Sequence, residues 1–120
     1  MEDTLTVGGK TLTMYAGVLG KIDEAIGGFD KLDEVATDKK LQEDLVKAVI
    51  ANYDENGNVT GYNFNLFAMA PSDFNAVLQW GLEHYTVFTM ESSTKIIEKL
   101  KTMEKKIVEF QKNSQHSQNG

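Results

Sequence analysis

The sequence predicts a mainly α protein of the small α+β class, a short N-terminal β-hairpin followed by amphipathic helices that end in a long, possibly bent C-terminal helix. Three observations carry that prediction. Leu5 and Val7 alternate with threonines before Gly8-Gly9, and Thr11, Leu12 and Thr13 resume the alternation after it, which is the period of a half-buried strand pair. From Tyr15 onward the apolar residues recur instead at steps of three and four. Between Ser72 and Lys112 two further runs of four-three spacing follow one another, a length that only helix fills.

The hairpin spans about residues 4–14. Its Gly8-Gly9 turn tolerates positive φ, and because a lone hairpin is marginal in water it must lie on helices or join strands of a neighbour. A helix over about 15–26 carries Val18, Leu19, Ile22, Ala25 and Ile26 on one face and stops at Gly27-Gly28. Gly17 and Gly20 each weaken it by roughly 1 kcal/mol relative to alanine, so close packing is the role expected of them. Phe29, Leu32 and Val35 make a further turn or short helix. Thr37 or Asp38 then caps a helix over about 38–51, with Leu41, Leu45, Val46, Val49 and Ile50 inward and Glu43, Asp44 and Lys47 outward. The turn-rich stretch Asp54-Glu55-Asn56-Gly57-Asn58 leads to Val59, Tyr62, Phe64, Leu66 and Phe67, which read either as a short strand or as a loop laid over the core.

Pro71 opens the long segment, Ser72 is its expected N-cap, and Asp73 places negative charge in the first turn. Phe74, Leu78, Gly81, Tyr85 and Phe88 form one stripe; Ile96, Leu100, Met103, Ile107 and Phe110 form a second. The step from Phe88 to Ile96 is one residue longer than a heptad. The expectation is therefore two helical stretches, about 72–91 and 93–112, with a bend or break at Glu91-Ser92-Ser93-Thr94. The second stripe is interleaved with lysines and glutamates, so its other face is wet, and a narrow apolar seam on a charged helix suits a partner helix. Trp80, Tyr85, Phe88, Ile96, Leu100, Met103 and Ile107 are the candidate protein-interaction residues. Residues 1–112 are expected to form one domain, and 113–120 a mobile polar tail.

Composition narrows the function. The net charge of −6 argues against nucleic-acid binding, since neutralising phosphates needs a basic surface. All twelve basic residues are lysines, which removes the residue best suited to bidentate phosphate recognition. Without cysteine, disulfides, thiolate metal sites and cysteine nucleophiles are excluded. No apolar run approaches the length that crosses a bilayer, so a cytoplasmic protein without membrane contact is expected.

Candidate chemistry is thin. On the calcium-loop template, Asp54, Asn56 and Asn58 fall at ligand positions and Gly57 at the sharp turn, but Asn52 stands at the first position and Asn63 at the twelfth, where a bidentate glutamate closes the shell. One charged ligand is too few to hold a hard dication well, so a turn-rich connector is the preferred reading and Asp54, Asn56 and Asn58 are weak metal candidates. His84 lies close to Glu83 and Trp80 on the long helix but has no supporting motif for general-base chemistry, and His116 lies in the tail. The glycine pairs do not form a phosphate loop. The expectation is a protein that is not an enzyme and carries no cofactor.

Taken together, four stretches resemble the small tail assembly chaperones of long-tailed bacteriophages. They are the hairpin Leu5-Thr6-Val7-Gly8-Gly9-Lys10-Thr11-Leu12, the helix from Val18 to Gly27 with the Leu41 to Ala51 helix after it, and the run Asp73 to Tyr85 leading into a lysine- and glutamate-rich helix. The resemblance covers most of the chain up to about Lys106 and departs from the usual pattern in the Asp54 to Asn58 turn and the absence of arginine. It implies a non-enzymatic role: coating the helical tape-measure protein, keeping it soluble and recruiting tail-tube subunits; self-association is expected from the apolar seam itself, which suits another copy. Two readings of other classes stay open beside it, a small acidic inhibitor or regulatory module, and a degenerate calcium-binding module.

Overall fold

The structure, a computed structural model, describes residues 2–119, the side chains of residues 95, 96 and 112–119 excepted. Strands β1 (Thr4–Val7) and β2 (Lys10–Thr13) pair antiparallel, Leu5 opposite Leu12 and Thr6 opposite Thr11, whose hydroxyls lie 3.0 Å apart. Gly8 and Gly9 both take positive φ, 54° and 77°, as a two-residue hairpin turn requires. Val7, Leu12 and Met14 turn inward and give the hairpin the helical support it needs.

Helix α1 (Ala16–Ile26) buries Val18, Leu19, Ile22 and Ile26, and closes with the amides of Gly27 and Gly28 both donating to the Asp23 carbonyl. The packing role expected of Gly17 and Gly20 is corrected: a Cβ at either position would meet nothing within 4 Å. Both lie on the outward face of α1, away from the Ile22 and Ile26 stripe. A 3₁₀ turn, Phe29–Lys31, and the one-turn helix α2 (Leu32–Val35) follow, with Val35 buried. Asp38 caps α3 (Lys39–Ile50), its Oδ1 accepting from the amides of Lys40 at 2.9 Å and Leu41 at 3.3 Å. Leu45, Val46, Val49 and Ile50 fill the space against α1.

Where helix was expected to run to residue 51, the chain turns extended. Strand β3 (Ala51–Tyr53) pairs antiparallel with β4 (Val59–Tyr62) across an irregularity between Asn52 and Tyr53. The stretch read as strand or loop is thus a strand to Tyr62, then a 3₁₀ turn, Leu66–Ala68. Ala51 falls in the helical spacing and Asn52 and Tyr53 in the turn-rich stretch, which hides the first strand of this second hairpin.

The last element is α4 (Pro71–Asn119). Pro71 takes the first helical position, where its missing N–H leaves no bond unmade, so Ser72 lies inside the first turn and is not the cap. Of the bend or break expected at residues 91–94, the break is corrected, since these residues are helical throughout. Thr94 donates its hydroxyl back to the Met90 carbonyl at 3.0 Å, as Thr86 does to Leu82 and Thr102 to Glu98, and that local bond accommodates a hydroxyl residue within a helix.

Instead of one domain over 1–112, the chain divides into two compact units, Met1–Phe88 and Thr89–Gly120. Every member of the buried core lies between Val7 and Tyr85. In the first unit α4 passes α1 and α3 at Gly81, where a Cβ would stand 2.9 Å from Leu45 Cδ2 and 3.2 Å from Val49 Cγ2. Only glycine admits so close a crossing. The second unit is helical from Thr89, and the mobility expected of the 113–120 tail falls on residues whose side chains lie outside those described.

Candidate protein-interaction surface

In the second unit, Leu100, Met103, Ile107 and Phe110 follow one another at three- and four-residue steps, which sets them on one side of a helix. All are more than half exposed, from 52% at Leu100 to 74% at Phe110. Ile97 and Val108, beside that row, are exposed as well. Ile96, the first residue of the predicted stripe, lies outside the described side chains. Lys99, Lys101, Glu104, Lys105, Lys106 and Glu109 occupy the intervening positions and are exposed. Such a helix offers a strip of aliphatic, thioether and aromatic carbon bordered by charge.

The interaction residues predicted before Thr89 fare differently. Tyr85 is wholly buried and Trp80 nearly so, which corrects their placement on a binding surface. Their aromatic rings complete the core of the first unit, and each sends its polar end to a partner: the Tyr85 hydroxyl donates to Asp23 Oδ1, the Trp80 indole N–H to the Glu2 carbonyl at 3.0 Å. Burial, then the bond to Asp23 and its charge, with a further contribution from Asp30, push the Tyr85 phenol well above its ordinary range. Phe88 does reach the surface, at 41% exposure.

His84 is tied to the same point. Its Nε2 lies 2.8 Å from the Glu2 carbonyl, and because a carbonyl only accepts, the ring proton belongs on Nε2. Its ring meets Trp80 edge-on at 5.3 Å between centroids. The histidine thus clamps the chain leading into β1, which is a structural task.

Asp54, Asn56 and Asn58 form the turn between β3 and β4. Asp54 Oδ1 accepts from the amides of Asn56 and Asn58, both at 2.9 Å, and the Asp54 carbonyl accepts from the Gly57 amide. The Asn58 amide, followed by smaller contributions from Asn56, the Asn58 side chain and Gly57, holds this carboxyl below the usual carboxylate range against some desolvation. Strands flank the turn where a calcium loop has helices. Among the described residues no group of three or more His, Cys, Asp or Glu side chains gathers as a ligand set, and no helix is long and apolar enough to cross a membrane.

Sequence reasoning missed Phe67, which is 98% exposed at the tip of its 3₁₀ turn. It borders a groove of about 770 Å³ lined also by Lys39, Lys47, Leu66, Met69 and Phe74. Reading the stretch as a covering loop assigned every apolar residue in it to the core, and Asn65, whose side chain caps the turn by accepting from the Phe67 amide, was the available sign of a turn that aims one side chain outward. No protein-family model, curated protein or solved structure matches the chain.

Proposed function

We propose that this protein is a non-enzymatic tail assembly chaperone, which holds the long helical tape-measure protein of a long-tailed bacteriophage in solution and helps recruit tail-tube subunits to it in the host cytoplasm. The observation that carries the reading is the row Leu100, Met103, Ile107 and Phe110, each more than half exposed on a helix with charged flanks. A partner helix bearing its own apolar seam is the surface that fits such a row. Covering what is exposed of these side chains contributes up to about 1.5–3 kcal/mol each toward offsetting the costs of association. The resemblance of the hairpin, Val18 to Gly27 and Asp73 to Tyr85 to these chaperones supplies the identity of the client.

Co-expression with a tape-measure fragment that precipitates alone tests the reading. The wild-type chain should keep the fragment in the supernatant, and Leu100→Asp or Ile107→Asp should not. Equal recovery with wild type and both variants, or precipitation in every case, would overturn it.

A further inference from the structure

We propose that two copies of this chain pair in parallel and in register through residues 96–110 of α4, with Lys99 of each copy facing Glu104 of the other. The inference rests on the reading that the second unit acts through helix-to-helix contact, and it names a first occupant of the exposed row. The four-three spacing places Leu100 and Ile107 at heptad position a, and Met103 and Phe110 at d, with Ile96 at d by sequence position alone. Lys99 and Lys106 then stand at g, and Glu104 and Gln111 at e.

Charge selects the orientation. In a parallel pair each g residue faces the e residue five positions further along its partner, so Lys99 meets Glu104 twice, once on each side of the two-fold axis, and Lys106 meets the neutral Gln111. In an antiparallel pair g flanks g and e flanks e, which sets lysine against lysine whichever way Lys99 and Lys106 are matched. The parallel arrangement has no like-charge clash at these positions. The pairing covers the same row that a client helix takes, so the second copy stands there until a client displaces it.

The chain has no cysteine, so single cysteines report the geometry cleanly. Under mild oxidation, Met103→Cys and Phe110→Cys, made separately, should each give a disulfide-linked dimer. In an antiparallel pair only a residue near the crossing point meets its own copy, and residues one heptad from that point are about 20 Å apart. The full chain should show twice its 13.4 kDa mass in solution. Lys99→Glu alone should weaken pairing about tenfold, and Lys99→Glu with Glu104→Lys should restore it. A monomer or a larger assembly by mass, cross-linking at one position or neither, or a double variant as weak as the single would overturn the proposal. A chain that is monomeric without client and still solubilises it would sink the pairing and spare the chaperone reading. Parallel pairing with no effect on the client would do the reverse.

Discussion

The helix α4 carries the same kind of apolar spacing through both units, and the two stretches meet opposite fates. Between Phe74 and Tyr85 the residues are gathered into a core, with Val77, Trp80 and Tyr85 buried against α1 and α3. Between Ile97 and Phe110 residues of comparable size stand exposed. Periodicity announces that a helix has an apolar side; it does not announce what covers it. The difference lies in the neighbours the chain provides, since α1 and α3 contribute Ile22, Leu45 and Val49 to meet the first stretch at Gly81.

The sharpest way to break that contrast is to truncate the same residue type in each stretch's surroundings. Leu45→Ala removes a fully buried side chain and should lower unfolding stability by about 2–5 kcal/mol. Leu100→Ala should leave the stability of the first unit within about 0.5 kcal/mol of wild type, as surface substitutions do. Chemical denaturation followed by Trp80 fluorescence measures both. Equal losses would mean that the exposed row is as integral to folding as the core.

Next in size is Gly81→Val. Its branched side chain must displace Leu45 and Val49 where a single Cβ already comes within 3.2 Å, so overpacking should cost about 1–3 kcal/mol despite valine's better helix propensity. Thermal denaturation would show it, and an unchanged midpoint would place the crossing elsewhere.

Tyr85→Phe sharpens the comparison from the polar side. It keeps the ring in place but deletes the bond to Asp23, for an expected loss of about 1 kcal/mol at neutral pH. The native state holds the phenolic proton longer than the unfolded chain does, so Tyr85 contributes stability that is intact below pH 10 and lost as pH rises above it. The variant should therefore show a shallower alkaline decline. Identical alkaline profiles would place the phenol outside this hydrogen bond.

The smallest effect belongs to the exposed turn. Asp54 is ionised to lower pH in the folded chain than in the unfolded one, so its contribution is present above its ordinary value of 3.8 and disappears as pH falls through its folded value. Amide exchange at Asn56 and Asn58 should quicken over that acidic range, and Asp54→Asn should flatten the dependence. A pH-independent exchange rate would detach the turn from this carboxylate.

Much of the fold was legible. Alternation about Gly8-Gly9 located the first hairpin, the Val18 to Ile26 spacing located α1, and Asp38 announced the start of α3 in its own chemistry. The second hairpin was not, because three residues of strand directly continuing a helix leave no change of period to detect. The four hydroxyl-bearing and acidic residues at 91–94 looked like a cap although they bond within the helix, and a propensity weaker than the helix's own ladder was overruled. At the candidate surface, the positions of Leu100, Met103 and Ile107 were readable, whereas the burial of Trp80 and Tyr85 depended on Glu2 and Asp23, which lie 78 and 62 residues away in sequence.

That long reach from Glu2 to the indole has a kinetic corollary. Joining residue 2 to residue 80 closes nearly the whole first unit into a loop, so the contact forms late, after the local hairpins and helices that shorten the path. Because Trp80 is the sole tryptophan, the chain carries a built-in reporter whose emission should change when residues 2 and 80 of the first unit are brought together.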